Sequence, residues 1–285
     1  YAQDRYKVND LLDITLGLRI DLPVYLNEIE YDAETAEFDG WVDEDGNSAT
    51  VDPSKFPDGN LLWSPRFGFN YDVTGENKIR IRGGSGIFSG RIPFVWLGNQ
   101  ASNPRIDPGY EFQVNATSED FKFPQTWKSD LAVDIVAGNG WRFMAEGIFS
   151  KDINAVVHRN YNMRAPSGTL NYSADPRPIY QGDENNIYSN AVGFATFLEA
   201  GAIVLDNTKE GYQYTLTGKL IKNFDFGFNM LLAYTYTESK DYTSIPAEIA
   251  ADAFQRNPIY ENANFPMFSY SRYGLTHRII SALSY

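Results

Sequence analysis

In the stretch LLDITLGLRIDL, polarity reverses at almost every residue. Leu12, Ile14, Leu16, Leu18, Ile20 and Leu22 hold one parity, and Asp13, Thr15, Gly17, Arg19 and Asp21 hold the other. A β-strand sends successive side chains to opposite faces, so a sustained period of two means one apolar face and one polar face. The same alternation returns in LLWSPRFGFNYDV, KIRIRGGSGIF, TWKSDLAVDIVAG, WRFMAEGIF, GYQYTLTGKL and FDFGFNMLLAYTYT. With the ends YAQDRYK and HRIISALSY, this pattern predicts roughly nine strands. The medium against the apolar parity, a second sheet or hydrocarbon, decides what such a chain is.

The connections favour hydrocarbon. Short links at residues 8–10, 74–77, 138–140 and 222–225 alternate with long ones at about 23–60, 89–125, 158–208 and 238–272. Unstructured loops above about fifteen residues are uncommon in compact soluble domains. Transmembrane barrels have short turns at one rim and long loops at the other. The aromatics agree. Leu131, Val133, Ile135, Leu216, Met230 and Leu232 fill strand middles, while Trp63, Tyr71, Trp127, Trp141, Tyr212, Tyr214, Tyr234 and Tyr236 gather towards strand ends. A ring with one wet and one apolar end suits the bilayer interface. Aromatic residues make up 15 % of the chain, including 19 Tyr and 19 Phe, which suits a half-buried sheet. A mean hydropathy of −0.38 with no long apolar run excludes a transmembrane helix but not a barrel, whose alternation averages to a polar value.

Net charge is −13, so nucleic acid is not an expected partner. Nine of the acids lie between Glu28 and Asp45 with no Lys or Arg among them, which reads as a solvated loop. The absence of cysteine excludes a disulfide framework and thiolate-bound metal. The opening at YAQDRYK, already inside a strand and without an initiator Met, leads to the expectation of a piece of a longer chain.

Several motifs carry competing readings. RGGSGIFSG has the glycines of a phosphate-cradling loop, but such a loop needs a helix next, and IFSGRIPFVW shows a Pro and no helical period. In a strand these glycines mark a bend or a close backbone approach. DEDGN offers Asp43, Asp45 and Asn47 as half of a calcium loop. Position twelve is Ser54 rather than an acid, so a surface turn competes with adventitious calcium binding. His158 and His277 are the only histidines and are far apart, which argues against a metal centre or a catalytic triad, and the chain is expected not to be an enzyme. Arg66, Arg80, Arg82, Arg142 and Glu146 fall on the polar parity, either as cross-strand pairs on a wet wall or as contacts to whatever fills the lumen. Trp41, Phe94, Trp96, Tyr110, Tyr161 and Tyr180 lie in the long links, either to stack on a ligand or to clamp the loops together. SIPAEIAADAFQRNP, residues 244–258, is expected to hold a short loop helix bounded by its prolines.

The stretch SPRFGFNYDVTGENKIRIRGGSGIFSGRIPFVWLGNQASN resembles the barrel of TonB-dependent outer-membrane receptors, especially the Oar-like branch related to SusC-type importers. YAQDRYKVNDLLDITLGLRID, GYQYTLTGKLIKNFDFGFNMLLAYTYTESKD and THRIISALSY resemble other strands of that barrel. The resemblance implies that residues 1–285 are an all-β, antiparallel part of a barrel of about 22 strands. It further implies a separate N-terminal plug domain, absent here, and nutrient uptake driven through the TonB complex. Outer-membrane lipid, and for this branch a surface lipoprotein, are the further partners it implies; no cofactor is. A passive porin or adhesin barrel shares the strand features. A soluble β-sandwich such as a secreted carbohydrate-binding module shares only the alternation.

Overall fold

The computed structural model describes residues 1–106, 113–163, 166–170, 177–179, 201–242, 249–259 and 262–285. In chain order the elements are β1 (Ala2–Lys7), β2 (Leu12–Asp21), α1 (Ala33–Ala36), β3 (Leu62–Asp72), β4 (Ile79–Ser89), α2 (Phe94–Ser102) and β5 (Gln113–Thr117). They continue with β6 (Gln125–Val136), β7 (Trp141–Asn160), β8 (Gly168–Thr169), β9 (Pro178–Ile179), β10 (Gly201–Thr208), β11 (Tyr212–Asn223) and β12 (Asn229–Asp241). The last are α3 (Ala250–Gln255), β13 (Ser269–Tyr270) and β14 (His277–Ser284).

Nine strands form an antiparallel wall in the order β1, β2, β3, β4, β6, β7, β11, β12, β14, each bonded to the next. These are the nine segments the alternation predicts. The wall is open at β1 and β14. Register sets the faces: Leu16 pairs with Phe67, Leu131 with Gly83 and Gly147, and Leu216 with Gly147 and Tyr236. On that face Leu16, Leu131, Leu216 and Ile279 keep 59, 55, 56 and 73 % of their surface exposed. Among the described residues no second sheet covers them, as a sandwich would require.

Aromatic rings border this face at both rims. On the long-loop side Trp127 meets Phe149 edge-on at 5.6 Å, and Tyr214 lies 5.9 Å from Tyr236. On the short-turn side Trp141 stacks on Phe143, and Phe224 lies 5.6 Å from Phe228. Lys222 Nζ sits 5.0 Å from the Trp141 ring centre. The GNG turn at 138–140 has positive φ at all three residues, and at Gly140 a Cβ would collide with the Asn223 carbonyl. The RGGSGIFSG glycines lie within β4 as a continuous strand. At Gly83 a Cβ would come within 2.9 Å of the Phe69 ring, which lies across it from β3.

The hydrophobic core lies outside the wall, in the long links. β7 runs 20 residues, and its last third rises past the wall to pair with β10, which also pairs in parallel with β5. One face of this small sheet packs Ile203 and Leu205 against Trp96, Leu97, Phe121 and Phe254. The other packs Ala202 and Val204 against Trp41, Val51, Ile106 and Tyr161. All four long links contribute, so they fold together as one cap. α3 falls in the expected loop segment; of that segment, residues 244–248 lie outside the described residues. α2 corrects the expectation that no helix follows IFSGRIP: it begins directly after Pro93 and buries Trp96, Leu97 and Gln100. Pro beside a first turn is compatible with a helix start because no N–H is needed there.

The wall's faces make a direct prediction. In the full-length protein Leu16→Arg should cost about 2–4 kcal/mol of stability at mid-bilayer, whereas Thr15→Arg should be nearly silent. Equal losses in urea unfolding from lipid vesicles would refute the assigned faces.

Candidate functional site

The candidate site has two parts, the cap over the wall and the polar face of the wall itself. Within the cap, Trp41 is wholly buried, and its Nε1 donates to the Thr35 carbonyl at 2.8 Å. Trp96 and Tyr161 are also buried in the two clusters. Of the two readings the sequence offers for these three, their burial fits the second: the rings join the loops. Phe94 is 61 % exposed and remains free to touch a ligand. Tyr110 and Tyr180 lie outside the described residues.

The cap is fastened by Arg159, whose guanidinium meets Glu44 at 2.9 Å, Asp206 at 3.0 Å and the Asn264 carbonyl at 2.7 Å. One side chain on β7 thus links the first, third and fourth long connections. Burial holds the Glu44 carboxyl above its ordinary range even beside Arg159. Asn264 completes the joint, accepting from the Asn160 amide and donating to the Asn160 carbonyl. On the opposite face of β7, His158 is wholly buried, edge-on to Trp96 at 4.4 Å between ring centres. Neither of its ring nitrogens has a hydrogen-bond partner among the described residues. Burial alone pushes its pKa down to about 4, so the ring is neutral.

The cap also holds a cleft of about 490 Å³ that sequence reasoning missed. Tyr25 and Phe56 stack there at 4.7 Å, and Glu28, Asp52, Asp58 and Glu119 line the same opening. Burial, with Asp58 adding to it, raises the Tyr25 hydroxyl to about 12. Neither ring stood out in the sequence, because both lie in acid-rich, non-periodic stretches. Asp43, Asp45 and Asn47 form a tight turn. Asp43 Oδ1 accepts from the Asp45 and Asn47 amides, and its Oδ2 from the Asn47 side chain. The turn is thus held by its own Asp43 carboxylate, and among the described residues no three acids or imidazoles gather to hold a metal.

The polar face carries the five predicted wall residues on one side. Arg82 bonds Asp134 at 3.2 Å and Glu146 at 3.0 Å, the cross-strand pairing of a wet wall. Arg66 lies over the Phe88 ring at 4.5 Å. Arg80 donates to Asn77 at 2.6 Å, and Arg142 opens onto the same cleft as Arg80.

An exposed apolar belt with aromatic rims, a polar opposite face and loops all at one rim define an outer-membrane β-barrel wall. Residues 1–116 match the family model described as an outer membrane beta barrel domain. The chain is thus a strand segment of the Gram-negative outer membrane. No curated protein matches it. Among solved structures it is similar to a mutant of the ferric enterobactin receptor (PfeA) from Pseudomonas aeruginosa, with 13 % identity, TM-score 0.47 and coverage of 82 % of this chain and 25 % of that one. The siderophore receptor PirA from Pseudomonas aeruginosa gives 13 %, 0.44, and 83 % against 33 %. The outer membrane transporter YddB from Escherichia coli gives 12 %, 0.41, and 82 % against 25 %. The chain therefore spans only a quarter to a third of these proteins.

Two outcomes follow for the cap. Arg159→Met leaves the Glu44 and Asp206 carboxylates buried without their counter-ion and should destabilise the cap by about 3–5 kcal/mol. Hydrogen exchange in β5 and β10 should quicken accordingly while β2 and β3 stay protected. For His158, the unfolded chain binds a proton below about pH 6.5 and the folded cap only below about 4. Cap stability is therefore full above pH 6.5 and falls by roughly 3 kcal/mol as pH drops towards 4. His158→Leu should remove that slope, and exchange rates in β10 measured across this range check it.

Proposed function

We propose that this chain is the barrel portion of a TonB-dependent receptor of the SusC-related, Oar-like branch, which takes up a nutrient across the outer membrane. The observation that carries the reading is the joining of four long loops into one folded cap above a lipid-facing wall. A passive pore needs an unobstructed mouth, whereas capture of a scarce solute needs a preorganised surface. The resemblance of the SPRFGFN to RGGSGIFSGR stretch supports the same branch. In this reading an N-terminal plug domain of the whole protein fills the lumen, the TonB complex pulls on it, and a surface lipoprotein covers the cap. The protein performs no covalent chemistry and needs no cofactor. Its substrate is a glycan, a peptide or a metal chelate, held first by cap surfaces such as Phe94 and the Tyr25–Phe56 cleft.

The test uses the full-length protein. In planar bilayers bathed in KCl it should carry no steady current, and the periplasmic domain of TonB should retain it on a column. A steady open-channel current without TonB retention would instead establish a passive porin.

A further inference from the structure

On the polar face most charges are matched. Arg5 meets Asp13 at 2.6 Å, Arg19 meets Asp21 at 2.7 Å, and Arg82 holds Asp134 and Glu146. Arg66 and Lys128 rest against the Phe88 ring. Arg278 stands apart on the edge strand β14. The exceptions gather near the short-turn rim, where Arg80, Arg142 and Lys219 wall one cleft of about 400 Å³. Register explains the meeting. Asp72 pairs with Arg80, Arg80 with Asp134, Asp134 with Met144 and Met144 with Lys219, so these five form one row across β3, β4, β6, β7 and β11. Arg142 lies one row nearer the rim, between Val136 and Ile221.

Arg142 and Lys219 have no ionic or hydrogen-bond partner among the described residues, and Arg80 reaches only Asn77. The acid in their midst, Asp134, is engaged by Arg82. Asp130 lies four residues further along β6, two rows away. Arg142 and Lys219 thus face the opening without a bonded counter-charge, and with Arg80 and Arg82 they outnumber the nearby acids Asp72, Asp134 and Glu146, in a chain whose net charge is −13. Concentrated positive charge on a low-dielectric wall raises the local concentration of anions. Two guanidinium forks and one ammonium match the geometry of carboxylate and phosphate oxygens.

We propose that this cleft is a binding site for a small oxyanion, a polycarboxylate or phosphate group, on the lumenal wall near the periplasmic rim. Binding there needs only the geometry above. Its use as a station on the uptake route rests on the proposed function, and would make the imported nutrient an anion.

The experiment is calorimetric titration of the full-length protein in detergent with citrate, with inorganic phosphate and with maltose as a neutral probe. Citrate or phosphate should bind and maltose should not, and the affinity should fall as NaCl is raised. The double substitution Arg142→Gln and Lys219→Gln should weaken anion binding at least tenfold. Lys222→Gln removes a nearby cation on the lipid-facing parity and should leave binding unchanged. Gel mobility before and after heating confirms that each variant is folded. No binding of either anion to the wild type, or equal binding by the double variant, overturns the site. If citrate binds but its uptake into cells requires neither the proton gradient nor TonB, the site stands and the uptake reading falls.

Discussion

Within a bilayer a backbone amide has no water to bond, so every strand must take its hydrogen bonds from the strand beside it. That constraint governs this molecule. The wall pairs each of its nine strands in continuous register, with a single irregularity between Gln125 and Thr126. Once pairing is fixed, the two-residue pleat assigns each side chain to hydrocarbon or to the lumen. Leu16, Leu131 and Leu216 then face outwards together, and Arg82, Asp134 and Glu146 face inwards, where the one guanidinium bridges the two carboxylates.

The wall and the cap obey the same hydrophobic effect under different solvents. In the wall, apolar side chains are stable while exposed, because lipid surrounds them. In the cap, water surrounds the chain, so Trp41, Phe121, Leu205 and Val204 are buried in ordinary fashion. β7 crosses between the two regimes. Its lower part alternates apolar and polar, and its upper part, from Val157 to Asn160, is buried on both faces. This makes β7 the mast of the cap, carrying Arg159 towards one side and His158 towards the other.

The division also bears on ligand capture. Loops that share two apolar clusters and a buried Arg–carboxylate joint present their outer residues in a defined arrangement, which lowers the ordering cost of binding. Of the four candidate loop aromatics among the described residues, Trp41, Trp96 and Tyr161 serve that internal role. Phe94 faces outwards, and the Tyr25–Phe56 pair faces a cleft. An anion-selective cleft at the opposite rim would place complementary selection at the two ends of one wall.

Sequence by itself determined the wall. Nine alternating segments, their short and long links and the aromatic rims were all legible, because the pleat writes a local period of two and the interface selects Trp and Tyr at strand ends. It did not determine the cap. GAIVLDNT is buried on both faces of a sheet and so shows no alternation, and its partner strand lies more than eighty residues away. Trp41 and Trp96 in the sequence were equally suited to a ligand or to a core. α2 escaped notice because only its Trp96, Leu97 and Gln100 face the core. Arg80, Arg142 and Lys219 were visible as polar-face cations, but only pairing across four strands showed them sharing one cleft with its acid already engaged. Local chemistry repeats along the chain and can be read there. Which distant segments meet is set by long-range packing, and that the tertiary structure alone decided.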